Sequence, residues 1–375
     1  MSTIGMNKAE NLFNWEAFAS IPDNKFVYIN WIKNTCDKLI NMVDPDQEII
    51  FPINFFKKPN SPQNRIKIHQ FVKQNRSVYR DKLEQVLDSN IKGIVFTFDW
   101  YFMFRDIVDL ANKKGILTIL IPHEGVFSSE DRYYLDREYG YDIPICKHCL
   151  LWGELQKRVF IGRGHSGAGF VIVGAPKIEA LTFTTMKTVK TATTFLLVLQ
   201  NMDCQSDIKK AVKFQNSIIE FMCEYAVNMH KRLVIRNPPN NVDLIPSSIV
   251  AKYKLLNDLV LFNNTDDPLD AINDSEVVLS INSTMLLEAK LMGKRAISIA
   301  SEFVETLWEA YGVETVFTFK QLEKSIASSN GLSDSELSIS HRLITDFGLS
   351  FPSPSHSIKK YLFGYMNDLY RNNNH

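Results

Sequence analysis

Residues 90–125 change hydrophobic period twice. "NIKGIVFTFDW" (90–100) reads as a buried strand, "FRDIVDLANKKG" (104–115) spaces its apolar residues for a helix that stops at Gly115 after two lysines, and "ILTILIPHEG" (116–125) returns to strand. Strand, helix and strand joined by short connections make a parallel sheet covered by helices, because parallel neighbours need a crossover that packs back on the sheet. "HCLLWG" and "GFVIVGAPK" add two short strands, with a helical turn or two in "ELQKRVFIGRG" between them. "IEALTFTTMKTVKTATT" (178–194) reads as a linker.

A second alternating series follows. "FLLVLQ" (195–200), "RLVIRNPP" (232–239), "LVLFNN" (259–264), "EVVLSINST" (276–284), "RAISIA" (295–300) and "ETVFTF" (314–319) read as strands. Residues 208–230 form a long amphipathic helix, 268–275 a short one, and 357–370 a separate amphipathic helix at the end. Residues before 90 read as irregular, with Asp44-Pro45-Asp46 as a turn. A chain of 375 residues exceeds what one core usually supports, so two α/β domains are expected. Ligands of open α/β sheets sit at the carboxyl ends of the strands, which makes strand exits the places to look for chemistry.

Charge narrows the function classes. Lys+Arg 42 against Asp+Glu 42 gives a formal net charge of zero, which argues against a broad nucleic-acid surface. The opening residues lack a signal-peptide pattern and no run approaches a membrane span, so a cytoplasmic location is expected. Five cysteines, at 36, 146, 149, 204 and 223, do not suggest a disulfide framework. Cys146-Lys147-His148-Cys149 has half the ligands of a zinc site and no matching second pair, so reduced, packed thiols are expected and no metal. "GRGHSGAG" (162–169) follows a helix and precedes a strand, the wrong context for a dinucleotide fingerprint.

Four strand exits carry reactive side chains. His123 and Glu124 follow the strand of "ILTILIPHEG", a pairing suited to acid/base work, although Pro122 and Gly125 also make an ordinary turn. Asp203 follows the first strand of the second series and suits a base, a nucleophile or a helix cap. Arg236, Asn237 and Pro238 leave the next strand, where Arg can clamp a phosphate. Ser283 and Thr284 stand between strand and helix, where they hold a phosphate or cap the helix, and Glu288 one turn later reaches a ribose hydroxyl or pairs locally.

The segments "LLWGELQKRVFIGRGH", "VIVGAPKIEAL", "RLVIRNPP" and "VVLSINSTMLLEAKLMGKRAIS" resemble bacterial capsule and lipopolysaccharide glycosyltransferases of the B-type fold, including retaining β-Kdo transferases. The likeness covers about residues 90–300, with Trp152-Gly153 and Gly174-Ala175-Pro176 marking the end of the first domain. It implies two Rossmann-like domains, 1–185 on the acceptor side and 186–350 on the nucleotide-sugar side, a deep cleft between them, and a helix in 351–375 returning to the first domain. It implies a nucleotide site at Arg236, Asn237, Pro238, Ser283, Thr284 and Glu288, joined by Gly174 and Lys177, and an acidic residue after the first strand of the second domain, Asp203 by position, that does the chemistry, in the β-Kdo type as the nucleophile; His123 and Glu124 are expected to face the cleft from the first domain. Asn237 stands where the family has a His, and an Asn carries no proton or charge.

The activity so implied is metal-independent transfer of a sugar from a nucleotide donor, CMP-Kdo foremost, to a glycan or lipid-linked glycan acceptor. Weak association with the inner membrane face or with a polysaccharide-assembly complex goes with it. Lys359 and Lys360 of the last helix offer a membrane-facing alternative to packing through Tyr361, Leu362, Tyr365, Met366 and Leu369. The same architecture serves UDP-sugar transferases, UDP-sugar epimerases and non-catalytic nucleotide-sugar-binding subunits, which remain open.

Overall fold

The computed structural model describes residues 12–373, apart from 23, 60, 88–90, 124, 126–142, 184–193, 203–206, 239–243, 257, 263–266, 303, 305–306 and 329–340. The chain divides into two compact units, Met1–Glu179 with Ile344–His375, and Ala180–Leu343.

The first unit is built on a six-stranded parallel sheet of β1 (Phe26–Ile29), β2 (Ile50–Ile53), β3 (Gly93–Phe96), β4 (Leu117–Leu120), β5 (His148–Leu151) and β6 (Phe170–Ile172), in the order β2-β1-β3-β4-β5-β6. Both β1 and β3 are buried at every position, the pattern of strands covered on two faces. The helices are α1 (Lys38–Val43), α2 (Pro62–Gln74), α3 (Arg76–Val86), α4 (Phe102–Lys113), α5 (Glu154–Gly162) and α6 (Pro176–Phe183). Two expectations are corrected here. Residues before 90 are not irregular, since they supply β1, β2 and three helices. Pro52 disguises β2, and its missing N–H is tolerated because β2 is an edge strand. The expected linker at 178–194 is helical as far as Phe183, and the rest of it up to 193 lies outside the described residues.

The second unit has a six-stranded parallel sheet of β7 (Thr194–Val198), β8 (Arg232–Arg236), β9 (Val260–Phe262), β10 (Val277–Ser280), β11 (Arg295–Ile299) and β12 (Glu314–Val316), ordered β12-β11-β10-β7-β8-β9. Its longest helix, α7 (Ile208–Asn228), is capped by Asp207 and buries Ala211, Gln215, Ile218, Ile219 and Met222 along one stripe. The short helices α8 (Ser247–Tyr253) and α9 (Pro268–Asn273) come next, and α10 (Met285–Leu291) follows β10 directly. Among the described residues no helix is long and apolar enough to cross a membrane.

The terminal helix, Pro354–Asn373, packs back on the first unit. Ile358 and Leu362 are wholly buried in that unit's core, and the His148 ring sits between Tyr361 Oη at 2.7 Å and Tyr365 Oη at 2.9 Å. Lys359 meets Asp44 at 3.0 Å and Glu48 at 2.6 Å. The helix is preceded by a strap that crosses the "WG" and "GAP" segments at glycines. A side chain on Gly153 would meet the Asp346 carbonyl, and Gly174, at φ +86°, lies against Phe351 and Pro354. Arg158 pairs with buried Asp346 at 2.7 Å, and Glu179 accepts from Ser353 Oγ at 2.6 Å and Ser355 N–H at 2.8 Å.

Asp44-Pro45-Asp46 is a turn, and its first residue is buried. Asp44 Oδ2 accepts the N–H groups of Ile49 and Ile50, each at 2.7 Å. Burial alone would raise the Asp44 pKa, but the two N–H donors and Lys359 outweigh it and hold the carboxyl below its ordinary value. A depressed folded pKa contributes stability that is complete above the ordinary carboxylate range and is lost as pH falls through the folded value. Asp44→Asn should therefore cost about 1–3 kcal/mol at neutral pH, and the gap to wild type should close below about pH 4. Urea unfolding at pH 7 and at pH 3 measures this, and a gap of the same size at both would refute it.

Candidate functional site

In the second unit the chain runs from β7 outward through β8 and β9, then crosses to the other side of β7 to make β10. The reversal puts a topological switch point between the carboxyl ends of β7 and β10, where open α/β sheets hold ligands. Gln200, Asn201 and Met202 leave β7; Arg236, Asn237 and Pro238 leave the adjacent β8; Asn282, Ser283 and Thr284 leave β10. The structure thus places Arg236, Asn237 and Pro238 at the exit of β8 and Ser283 and Thr284 at the exit of β10, on either side of β7, with Glu288 in the helix that follows β10.

Each has a defined environment. Arg236 is 9% exposed at the end of β8, with its backbone carbonyl accepting from Leu199 N–H at 2.8 Å. Asn237 turns its side-chain oxygen to the N–H of Leu244 at 3.1 Å. Ser283 Oγ accepts from Met285 N–H at 3.2 Å and caps α10, while Thr284 makes no side-chain cap of its own. Glu288 is 3% exposed in the first turn of α10, where the helix dipole favours a carboxylate. The Ser283 hydroxyl therefore serves the start of α10, beside the switch point.

Four side chains not singled out in the sequence organise this edge. Gln215, 4% exposed on α7, accepts from Gln200 N–H at 3.1 Å, and Gln200 Oε1 accepts from Asn282 N–H at 2.9 Å. Ser280 Oγ, fully enclosed, donates to the Val198 carbonyl at 2.8 Å, and Ser298 Oγ donates to the Ile281 carbonyl at 2.7 Å. A Gln within an apolar helical stripe was the available signal for Gln215.

In the first unit the exits of β3 and β4 position His123. Its backbone N–H and its Nδ1 both face the Thr97 carbonyl, at 3.1 and 2.9 Å, and Phe98 meets the ring edge-on at 5.4 Å between centroids. A carbonyl only accepts, so Nδ1 carries the proton and, in the neutral ring, Nε2 is the basic nitrogen. Asp99, wholly buried at the β3 exit, accepts from the N–H groups of Ile145 at 2.7 Å and Cys146 at 3.0 Å, and so ties the start of β5 to the end of β3. Tyr101 Oη bonds His69 Nδ1, with the rings stacked at 5.5 Å. Gly174 is packed beneath the terminal strap, and Lys177 is exposed on α6. Glu124 and Asp203 lie outside the described residues.

The thiols of Cys146 and Cys149 are buried and pushed well above their ordinary pKa by that burial. Among the described residues no group of three or more His, Cys, Asp or Glu is placed to hold a metal ion.

No family model matches the chain, and no curated protein matches it in sequence. Solved structures do match in fold. The chain is similar to the S. aureus MnaA protein solved with UDP, at 14% identity and TM-score 0.62 over 92% of this chain and 97% of that one. It is similar to the Rickettsia bellii UDP-N-acetylglucosamine 2-epimerase, at 13% identity and TM-score 0.60 over 93% and 99%. It is also similar to the Methanocaldococcus jannaschii UDP-GlcNAc 2-epimerase solved with UDP-GlcNAc and UDP, at 15% identity and TM-score 0.58 over 90% and 99%. With its two parallel six-stranded sheets, each flanked by helices, the chain has the two-Rossmann, glycosyltransferase B-type fold.

Proposed function

We propose that the chain is an enzyme of UDP-sugar chemistry, binding the nucleotide at the carboxyl edge of the second unit and epimerising the sugar. The observation that carries this reading is the likeness along nearly the whole chain to two proteins described as UDP-GlcNAc 2-epimerases, one of them solved with UDP-GlcNAc and UDP, and to the S. aureus MnaA protein solved with UDP. A CMP-linked donor such as CMP-Kdo, and transfer to a glycan acceptor, rest on the residue resemblance alone. The switch-point residues fit the reading in kind: the Arg236 guanidinium for phosphate charge, Ser283 and Thr284 hydroxyls for phosphate oxygens, and Glu288 for a ribose hydroxyl. Inverting a sugar carbon breaks a C–H bond and returns a proton to the opposite face, which asks for a base and an acid. His123 through Nε2, Glu124 and Asp203 are the groups proposed for it.

Three experiments test this. UDP at a hundredfold excess over its dissociation constant should add about 2.7 kcal/mol to stability and raise the melting temperature by several degrees, with CMP giving little. Ser283→Ala combined with Thr284→Val should weaken UDP binding about tenfold or more in a folded protein, the loss expected from two hydrogen bonds to a charged group. UDP-GlcNAc incubated with the enzyme in deuterated water should yield its C2 epimer with deuterium at that carbon, followed by NMR. A selective shift with CMP would return the reading to the acidic-sugar transferase, and neither shift nor isotope would leave a non-catalytic role.

A further inference from the structure

The interior of α7 contains a residue that helix packing does not explain. Gln215 lies in the stripe of Ala211, Ile218, Ile219 and Met222 and is 4% exposed, where an apolar side chain of the same size would pack without the cost of desolvating an amide. Its oxygen takes the N–H of Gln200 at 3.1 Å, half-buried two residues beyond β7. The side chain of Gln200 repeats the arrangement and takes the N–H of Asn282 at 2.9 Å, a residue 82 positions later. The donors are backbone N–H groups, so both amides must present their oxygens, and the orientation of each is set by the chain rather than chosen. Ser280 Oγ closes the same crevice from the strand side, donating to Val198 and receiving Ser283 N–H at 3.4 Å.

One polar atom at this place is left over. Asn282 Oδ1 is buried and has no hydrogen-bond partner among the described residues. A buried acceptor left without a donor costs about 1–3 kcal/mol, and such an atom at a ligand-holding edge is matched by a hydroxyl or N–H brought from outside.

We propose that Gln215 and Gln200 form a two-step relay that orders the turn Ile281–Thr284 and holds Asn282 for a hydroxyl or N–H donor of the bound nucleotide. The part concerning the nucleotide rests on the UDP reading above; the ordering of the turn does not. Gln215 and Gln200 are positioning residues, since they act through Asn282. The relay links the helix core to the switch point, so the turn is set before any ligand arrives, which lowers the ordering cost of binding.

The test uses Gln200→Ala, Gln200→Glu and Gln215→Leu in the full chain, with two readouts. The first is amide hydrogen exchange over residues 278–287 in the ligand-free protein. The alanine and leucine variants should exchange there about tenfold faster than wild type, the loss of one hydrogen bond, whereas Gln200→Glu keeps an acceptor and should stay near wild type. The second is UDP affinity, which should fall about tenfold in the same two variants and be retained in Gln200→Glu. Global melting temperatures within a few degrees of wild type separate this from general destabilisation; where Gln215→Leu melts early, Gln200→Ala, on the half-buried exit, carries the test. Unchanged exchange in Gln200→Ala overturns the relay. Faster exchange with UDP affinity unchanged overturns its role in binding. If wild type itself binds no UDP while exchange responds as expected, the turn-ordering stands and the UDP reading is what falls.

Discussion

Replacing Gly153 with Ala should destabilise the first unit by about 3 kcal/mol or more, because an added Cβ collides with backbone that has nowhere to go. Built on the existing chain, that carbon would lie 2.2 Å from the Asp346 carbonyl oxygen and 2.8 Å from the Gly348 nitrogen. Gly153 is extended, at φ −168°, so any residue tolerates its backbone and the whole cost is steric. The strap from Asp346 to Pro354 would have to lift, taking with it the Arg158–Asp346 pair and the Glu179 contacts to Ser353 and Ser355. Limited proteolysis near residue 350, alongside thermal unfolding, reads the outcome. A variant that melts with wild type and resists protease there would show that the strap yields at no cost. Gly115 is the control: its Cβ would meet nothing within 4 Å, so only the strain of φ +75° would be felt.

Substituting His123 should remove turnover and spare nucleotide binding. The expected loss is about 10²–10⁴-fold in kcat, the usual contribution of a positioned acid or base. Asn is the informative replacement. Its amide N–H can take the place of Nδ1–H against the Thr97 carbonyl, which preserves the turn, while the basic Nε2 disappears. His123→Asn should therefore fold, keep its UDP-induced rise in melting temperature and fail to move deuterium into the sugar. His123→Gln, with an amide reaching nearer Nε2, should lose the Thr97 anchor and be less stable as well as inactive. Wild-type turnover in the Asn variant would reduce His123 to a turn residue, and the base would have to be sought at Glu124 or Asp203.

Much of the fold was legible because its determinants are local. The switch from an apolar run in 90–100 to helical spacing in 104–115 and back to an apolar run in 116–125 names three elements that the structure contains, at 93–96, 102–113 and 117–120, with ends displaced by up to five residues. The same holds for β7, β10 and α7. Residues before 90 were misread for equally local reasons. β1 and β2 are four residues each, and one contains a proline that only its place at the sheet edge makes acceptable. The "WG" and "GAP" segments could be quoted as markers, but their physical role, as a seat for the strap at 346–354, depends on chain that arrives two hundred residues later.

Residue types at strand exits are likewise written along the chain. Arg236, Asn237, Ser283, Thr284 and His123 stand just past apolar runs, and a strand's carboxyl end follows from its direction alone. Strand order is another matter. β7 separates β8 from β10 only because the sheet is assembled outward from its middle, and that order sets where the switch point lies. The pairing of Gln200 with Asn282, the burial of Gln215 as an acceptor, and the donation of His123 Nδ1 to Thr97 are contacts between segments that register alone makes neighbours. Hydrophobic period is a property of consecutive residues and survives without the rest of the chain. Hydrogen bonds between strand exits depend on which strands lie side by side, and no local pattern encodes that.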